Sequence, residues 1–207
     1  MFKLYARRGA GSMAVEALLA ECDIPYQVED LERGPDGKLP AFFHRINPQG
    51  QVPTLILPDD SVMTESAAIL IYLADLHPGA RLAPPAASPL RPRYLRWMMF
   101  FATTVYMSDL RMYYPQRYTD DPAGAEAVKR QAIAGMAREW DIFAEALGEG
   151  PYVLGENFSA VDIYAAMLAT WNADVPAFFA RHPNIKALYD RVTARPRIAK
   201  VWARNET

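Results

Sequence analysis

Asn47-Pro48-Gln49-Gly50-Gln51-Val52-Pro53-Thr54-Leu55, followed by Glu65-Ser66-Ala67-Ala68-Ile69-Leu70, is the stretch whose reading decides the fold. An apolar strand of the type Val-Pro-x-Leu passes through the turn Pro58-Asp59-Asp60 into a helix that opens on Glu-Ser. The strand offers backbone groups at Val52. The helix start offers N–H groups and the positive end of a dipole to a carboxylate. Ser66 is a good capping type, and its hydroxyl can reach the same anion. Together the segments suit a small anionic peptide. Taken singly, Val-Pro is only a strand start and Ser66 only a helix cap; the order and spacing carry the reading.

Working outward, Phe2 to Ala6 reads as a strand and Ser12 to Glu21 as a helix with Met13, Val15, Leu18 and Leu19 apolar. Pro25 to Asp30 is a second strand, Gly-Pro-Asp-Gly at 34–37 a turn, and Leu39 to Ile46 a short helix. Thr54 to Leu57 and Ser61 to Met63 form a hairpin. Ser66 to Asp75 is a helix. The order β-α-β-α-β-β-α is thioredoxin-like, and its β-α-β start fixes a parallel pair with a right-handed crossover. Residues 1–77 therefore read as one α/β domain. The proline-rich stretch 78–89, with Pro78, Pro84, Pro85 and Pro89, reads as a linker.

Residues 90–207 read as an all-helical domain. Arg91 to Gln116 is apolar round most of its circumference, which implies burial on more than one side. Ala123 to Leu147 is amphipathic; Phe158 to Trp171, Asn184 to Thr193 and a piece after Pro196 follow. Ser159-Ala160-Val161-Asp162 is a capping box with Phe158 and Ile163 placed as a hydrophobic staple. It is a folding signal, and its loss costs about 0.5–2 kcal/mol as a cap.

Bulk properties exclude several classes. A formal net charge of -2 gives no basic excess for nucleic acid. Cys22 is the single cysteine, so no internal disulfide can form. His44, His77 and His182 lack metal-ligand spacing and read as structural or surface residues, so no metal is expected. The longest apolar stretch, Trp97 to Met107, is shorter than the roughly 20 residues a membrane span needs. No targeting segment is visible, and a cytoplasmic protein is expected.

The loop Ala6-Arg7-Arg8-Gly9-Ala10-Gly11-Ser12 joins the first strand to the first helix, at the sheet edge where open α/β folds bind ligands. With the segments quoted first, it resembles the glutathione S-transferases, whose site reads x-N-P-x-G-x-V-P-x-L … E-S-x-A-I. The Ser159 capping box is a hallmark of that family's helical domain, so the resemblance covers nearly the whole chain. The loop is most similar to the bacterial beta class, L-Y-x-x-P-G-A-C-S. Here Arg8 stands for the proline, Gly11 for the cysteine, and Ser12 keeps the serine. The beta-class W-x-x-x-x-A-T-E-L-H-K appears as Trp97 … Ala102-Thr103-Thr104-Val105-Tyr106-Met107. Without a loop cysteine, mixed-disulfide chemistry is not expected, and Cys22 is expected to be buried and inert.

The resemblance implies glutathione as co-substrate, a small hydrophobic electrophile as acceptor, a role in detoxification and a twofold homodimer. It implies that Gln51, Val52 and cis Pro53 meet the cysteinyl backbone, that Glu65 and Ser66 hold the γ-glutamyl end, and that Lys38 reaches the glycyl carboxylate. The thiolate needs a donor, because a free thiol has a pKa of about 8.5 and each unit of depression is about 1.4 kcal/mol. Ser12 is the first candidate and Tyr5 the second; the plainer roles are a helix cap and a packed strand aromatic. Arg7 and Arg8 add positive potential. Tyr106, Tyr113, Tyr114 and Trp171 are candidates for the electrophile pocket, an aromatic wall suited to flat or apolar molecules.

Three other readings compete. Gly9-Ala10-Gly11-Ser12-Met13-Ala14 formally fits the dinucleotide pattern G-x-G-x-x-A, with Glu29 or Asp30 about 20 residues on. Arg7 and Arg8 before it, the hairpin after it and the helical remainder argue against that. A glutathione- or protein-binding relative without turnover is the second, since fold does not fix function. A glutathione-dependent isomerase or dehalogenase is the third.

Overall fold

The structure, a computed structural model, describes residues 1–35 and 37–206. Strands β1 (Phe2–Ala6), β2 (Tyr26–Asp30), β3 (Thr54–Ile56) and β4 (Val62–Met63) alternate with helices α1 (Ser12–Glu21), α2 (Ala41–Ile46) and α3 (Ser66–Leu76). Then follow α4 (Arg91–Phe100), α5 (Tyr106–Tyr113), α6 (Ala125–Leu147), α7 (Ala160–Ala169), α8 (Val175–Arg181), α9 (Pro183–Thr193) and α10 (Pro196–Asn205). Asp36, in the expected 34–37 turn, lies outside the described residues; Gly37 N–H donates to the Gly34 carbonyl at 2.9 Å. The chain divides into two compact units, Met1–Pro85 with Val192–Thr207, and Ala86–Arg191.

The first unit is a thioredoxin-like layer of four strands in the order β2-β1-β3-β4. β1 runs parallel to β2 and antiparallel to β3, which is antiparallel to β4. Alternation along β1 sends Leu4 to one face and Tyr5 to the other. Tyr5 packs with Leu31, Leu39 and Phe43. α1 packs on α3, and its Val15, Leu18 and Leu19 are fully buried, each contributing up to about 3 kcal/mol. Cys22 follows α1; burial pushes its thiol up to about 11.

α10 belongs to this unit and not to the helical part in which sequence reading placed it. Its apolar residues Ile198, Val201 and Trp202 are buried, and it packs along α1. Its basic residues meet acids there. Arg204 pairs with Glu16 at 2.7 Å and with Asp30 at 2.6 Å. Arg197 pairs with Asp23 at 3.1 Å. Just before the helix, Arg195 pairs with Glu21 at 3.1 Å.

The second unit is helical, with an aromatic core. Phe101 meets Phe143 edge-on at 4.9 Å, and Trp97 meets the same ring at 5.1 Å. The single long helix expected over 91–116 is broken by a π-helical turn at Phe101–Val105. It ends at Tyr113, because Tyr114 precedes Pro115 and leaves the helical region at φ -131°. The capping box before α7 forms as expected. α8 was not expected from the sequence. It starts on Asp174, whose carboxylate accepts the Ala177 N–H at 3.0 Å, with Pro176 in the first turn. Asp-Val-Pro is the signal that could have found it. Among the described residues, no helix is long and apolar enough to cross a membrane.

Candidate functional site

Strand register assembles the site in the first unit. Tyr5 lies opposite Thr54, and Leu55 opposite Met63. One residue further along each strand, the C-terminal end of β1, Pro53 and the residues after β4 share one sheet edge. α1 and α3 both begin there. Their first N–H groups have no intrahelical partner and point along the dipole toward that edge.

The approach to Pro53 is fixed by a buried side chain. Asn47, 3% exposed, donates from Nδ2 to the Gln51 carbonyl and to Thr54 Oγ1, both at 2.9 Å. Its Oδ1 accepts the Gln49 N–H at 3.1 Å. Thr54 Oγ1 in turn donates to the Gln51 carbonyl at 3.0 Å. Gly50 within this turn has φ +61°, and a Cβ there would run into His44. The Val52–Pro53 peptide bond is cis, as the resemblance implies. Gln51 is exposed and Val52 half-buried.

At α3, Glu65 and not Ser66 occupies the capping position, with φ 65° and ψ 102°. A non-glycine residue held there costs of order 1–3 kcal/mol, and such strain concentrates at ligand sites. Ser66 is the first helical residue. The same one-residue offset occurs at α1, where Gly11 caps and Ser12 is first.

Ser12 is therefore not the cap expected of it, and its hydroxyl does not face the loop's outer side. It is 1% exposed. Its Oγ accepts the Arg7 N–H and donates to the Arg7 carbonyl, each at 3.1 Å. This reciprocal pair closes the loop from within. Tyr5 is packed within the first unit. Its ring is 6% exposed, lies 5.4 Å from Phe43, and has the Lys3 ammonium 4.6 Å from its centre. Arg7 is half-buried and Arg8 exposed. Lys38 stands exposed in the loop before α2, its carbonyl accepting the Gly34 N–H at 2.8 Å.

In the second unit, three of the four expected pocket aromatics come together. Tyr106 meets Trp171 edge-on at 5.1 Å, and Tyr113 donates its hydroxyl to the Trp171 carbonyl at 2.8 Å. Tyr114 instead has the Arg117 guanidinium 4.1 Å from its ring centre. Sequence reading missed Asp109, which shares a helix face with Tyr106 and Tyr113 by its spacing of three and four. It is 1% exposed, and neither carboxyl oxygen has a hydrogen-bond partner among the described residues. Burial, with the Glu139 charge adding, pushes its carboxyl well above the usual range.

The sign of that shift gives a testable pH effect. The folded chain holds the Asp109 proton more tightly than the unfolded chain. Its contribution is full below the unfolded pKa near 4 and is lost as pH rises toward the folded value. Asp109→Asn removes that titration. Unfolding free energy above pH 4 should fall less steeply in the variant, by up to about 1.4 kcal/mol per pH unit. Denaturant titrations at several pH values measure it; equal slopes for the two proteins would contradict the burial of this carboxyl.

Comparisons with known proteins align with this geometry. Residues 12–76 match the family model for the glutathione S-transferase N-terminal domain, and residues 98–196 that for the C-terminal domain. The GST-like protein YncG of Escherichia coli K12 is 33% identical over 207 residues, covering 100% of this chain and 99% of the relative. A glutathione transferase homologue from Sulfitobacter, solved with bound glutathione, superposes with a TM-score of 0.87 at 29% identity, over 100% of this chain and 99% of that one. The beta-class glutathione S-transferase of Sphingomonas chungbukensis superposes with a TM-score of 0.82 at 25% identity, over 98% of each chain.

Proposed function

Since the chain belongs to the glutathione S-transferase family, we propose that it ionises bound glutathione and transfers the thiolate to a small hydrophobic electrophile. The observation that carries the reading is the strained Glu65 at the start of α3, on the same sheet edge as cis Pro53 and the start of α1. Backbone groups of Gln51 and Val52 hold the cysteinyl unit. Glu65 pairs with the γ-glutamyl ammonium, Ser66 and the α3 N-terminus take its carboxylate, and Lys38 reaches the glycyl carboxylate. The N–H groups at the start of α1 face the sulfur, with Arg7 and Arg8 adding positive potential. Ser12 serves this arrangement by keeping the loop closed.

The chemistry is simple. The thiol proton leaves to solvent. The sulfur lone pair forms a bond to an electrophilic carbon, and the leaving group departs with its electron pair, or a conjugated acceptor takes up a proton. Tyr106, Tyr113 and Trp171, with Tyr114 beside them in sequence, line the acceptor pocket. The working form is a twofold homodimer.

The test is a difference-ultraviolet titration of glutathione with the protein, following the thiolate band against pH. Binding with a thiol pKa below the free value supports the reading. Absence of binding would remove it. Binding with an unshifted thiol would favour a glutathione-binding relative without turnover, a reading that Gly11 in place of the loop cysteine keeps in view. Ser12→Ala should raise the bound thiol pKa by about one unit and change glutathione affinity less than threefold. An unmoved thiol pKa in that variant would remove Ser12 from the machinery.

A further inference from the structure

We propose that Asn205, on α10 at the far end of the chain, is a positioning residue that holds the α1 loop in its thiolate-binding shape; this rests on the transferase reading above. Gly9, in the middle of that loop, is exposed and at φ +65°, a conformation that glycine adopts without strain and that leaves its backbone few local restraints. Ala10 N–H bonds back to the Arg7 carbonyl at 3.2 Å, and Met13 N–H to the Ala10 carbonyl at 3.0 Å. Ser12 closes the loop from inside through Arg7. The Gly9 N–H is held from outside, by Asn205 Oδ1 at 3.3 Å, across 196 residues of sequence.

Asn205 is suited to this task and is itself fixed. It is 6% exposed. Its Nδ2 donates to the Val201 carbonyl at 2.8 Å and to Glu16 Oε2 at 3.4 Å. Both amide hydrogens thus point at acceptors, which turns Oδ1 toward the Gly9 N–H. Glu16 lies one turn into α1, beyond Ser12, and is clamped by Arg204 at 2.7 Å. One amide side chain therefore touches both the helix whose N-terminus faces the sulfur and the loop that leads into it. A shift of the loop by a few tenths of an ångström changes N–H to sulfur distances, and with them the thiolate's stabilisation. It leaves the γ-glutamyl contacts at α3 untouched.

The experiment compares wild type, Asn205→Leu and Arg197→Met. The leucine removes the amide and keeps the bulk. The methionine breaks the α10 contacts to Asp23 and to the Glu21 carbonyl and leaves Glu16, Arg204 and the Gly9 contact in place, so it reports a general loosening of the helix. Two readouts are taken. In the protein without ligand, amide hydrogen exchange at Gly9 should be at least tenfold faster in Asn205→Leu and within threefold of wild type in Arg197→Met. In the glutathione titration, Asn205→Leu should lose about tenfold of the bound thiolate fraction at neutral pH, with glutathione affinity within threefold. Equal exchange in all three proteins overturns the proposal, as does equal perturbation by both variants, or a fast loop with an unchanged thiol. A wild type that binds no glutathione overturns the transferase reading and this role with it. The Gly9 exchange then still shows whether the contact exists, so the two failures are distinguished.

Discussion

Replacing Asp162 with alanine should lower unfolding free energy by about 2–5 kcal/mol at pH 5, more than a lost helix cap alone. One carboxylate oxygen accepts the Ser159 N–H at 2.7 Å and the Ser159 hydroxyl at 2.9 Å. The other accepts the Val153 N–H at 2.8 Å, so the side chain joins the cap to the segment before it. Val153 and Ser159 are each 1% exposed. Alanine would leave two buried N–H groups unsatisfied, at about 1–3 kcal/mol each. Burial pushes the Asp162 carboxyl up to about 7 against the pull of these donors. A folded pKa above the unfolded one means that the group's contribution is full below about pH 4 and is lost as pH rises through 7. The gap between wild type and variant should therefore narrow toward pH 8. Denaturant midpoints at the two pH values measure it. A loss under about 1 kcal/mol at pH 5 would contradict the assignment.

The second large effect is on binding. Glu65→Ala and Ser66→Ala should each weaken glutathione binding about ten- to a hundredfold, because in the proposed site each removes a hydrogen bond to a charged group, worth about 1.5–3 kcal/mol. Together they should leave affinity too weak to measure at millimolar glutathione. Stability should move the other way at one of these positions. Glu65 sits at φ 65°, which glycine adopts without strain. Glu65→Gly should gain about 1 kcal/mol of stability while losing the ligand. Calorimetric titration and thermal unfolding on the same variant check both halves. Glutathione affinity within threefold of wild type in the alanine variants would overturn the γ-glutamyl site.

How far the sequence could be read follows from which signals are local. The β-α-β-α-β-β-α order, the hairpin and the Ser159 box each depend on residues within a turn or two of one another, and they stand in the structure. At both helix starts the serine is the first helical residue, one place after the cap; Gly11 ranks below serine as a capping type, and Glu65 is not among the favoured ones. The inward turn of the Ser12 hydroxyl onto Arg7 is hidden for a different reason. A loop serine exposes its hydroxyl or folds it back on the chain by a choice of rotamer, which spacing does not encode. α10 shows the limit most plainly. Its apolar stripe of Ile198, Val201 and Trp202 required a partner, yet nothing local said that the partner was α1, some 180 residues earlier. The Asn205 contact to Gly9 is invisible for the same reason, and so is the setting of Asp109, whose carboxyl has no hydrogen-bond partner among the described residues.

Cys22 makes this a convenient protein on which to follow glutathione. Burial pushes its thiol up to about 11, so few of these side chains are ionised at neutral pH, and the thiolate is the form that reacts. Because Cys22 is the sole cysteine, a chromogenic disulfide reagent added to the mixture reports the tripeptide with little background from the protein. Any loss of free glutathione thiol can then be read directly by colour, and the proposed transfer tested without first naming an acceptor.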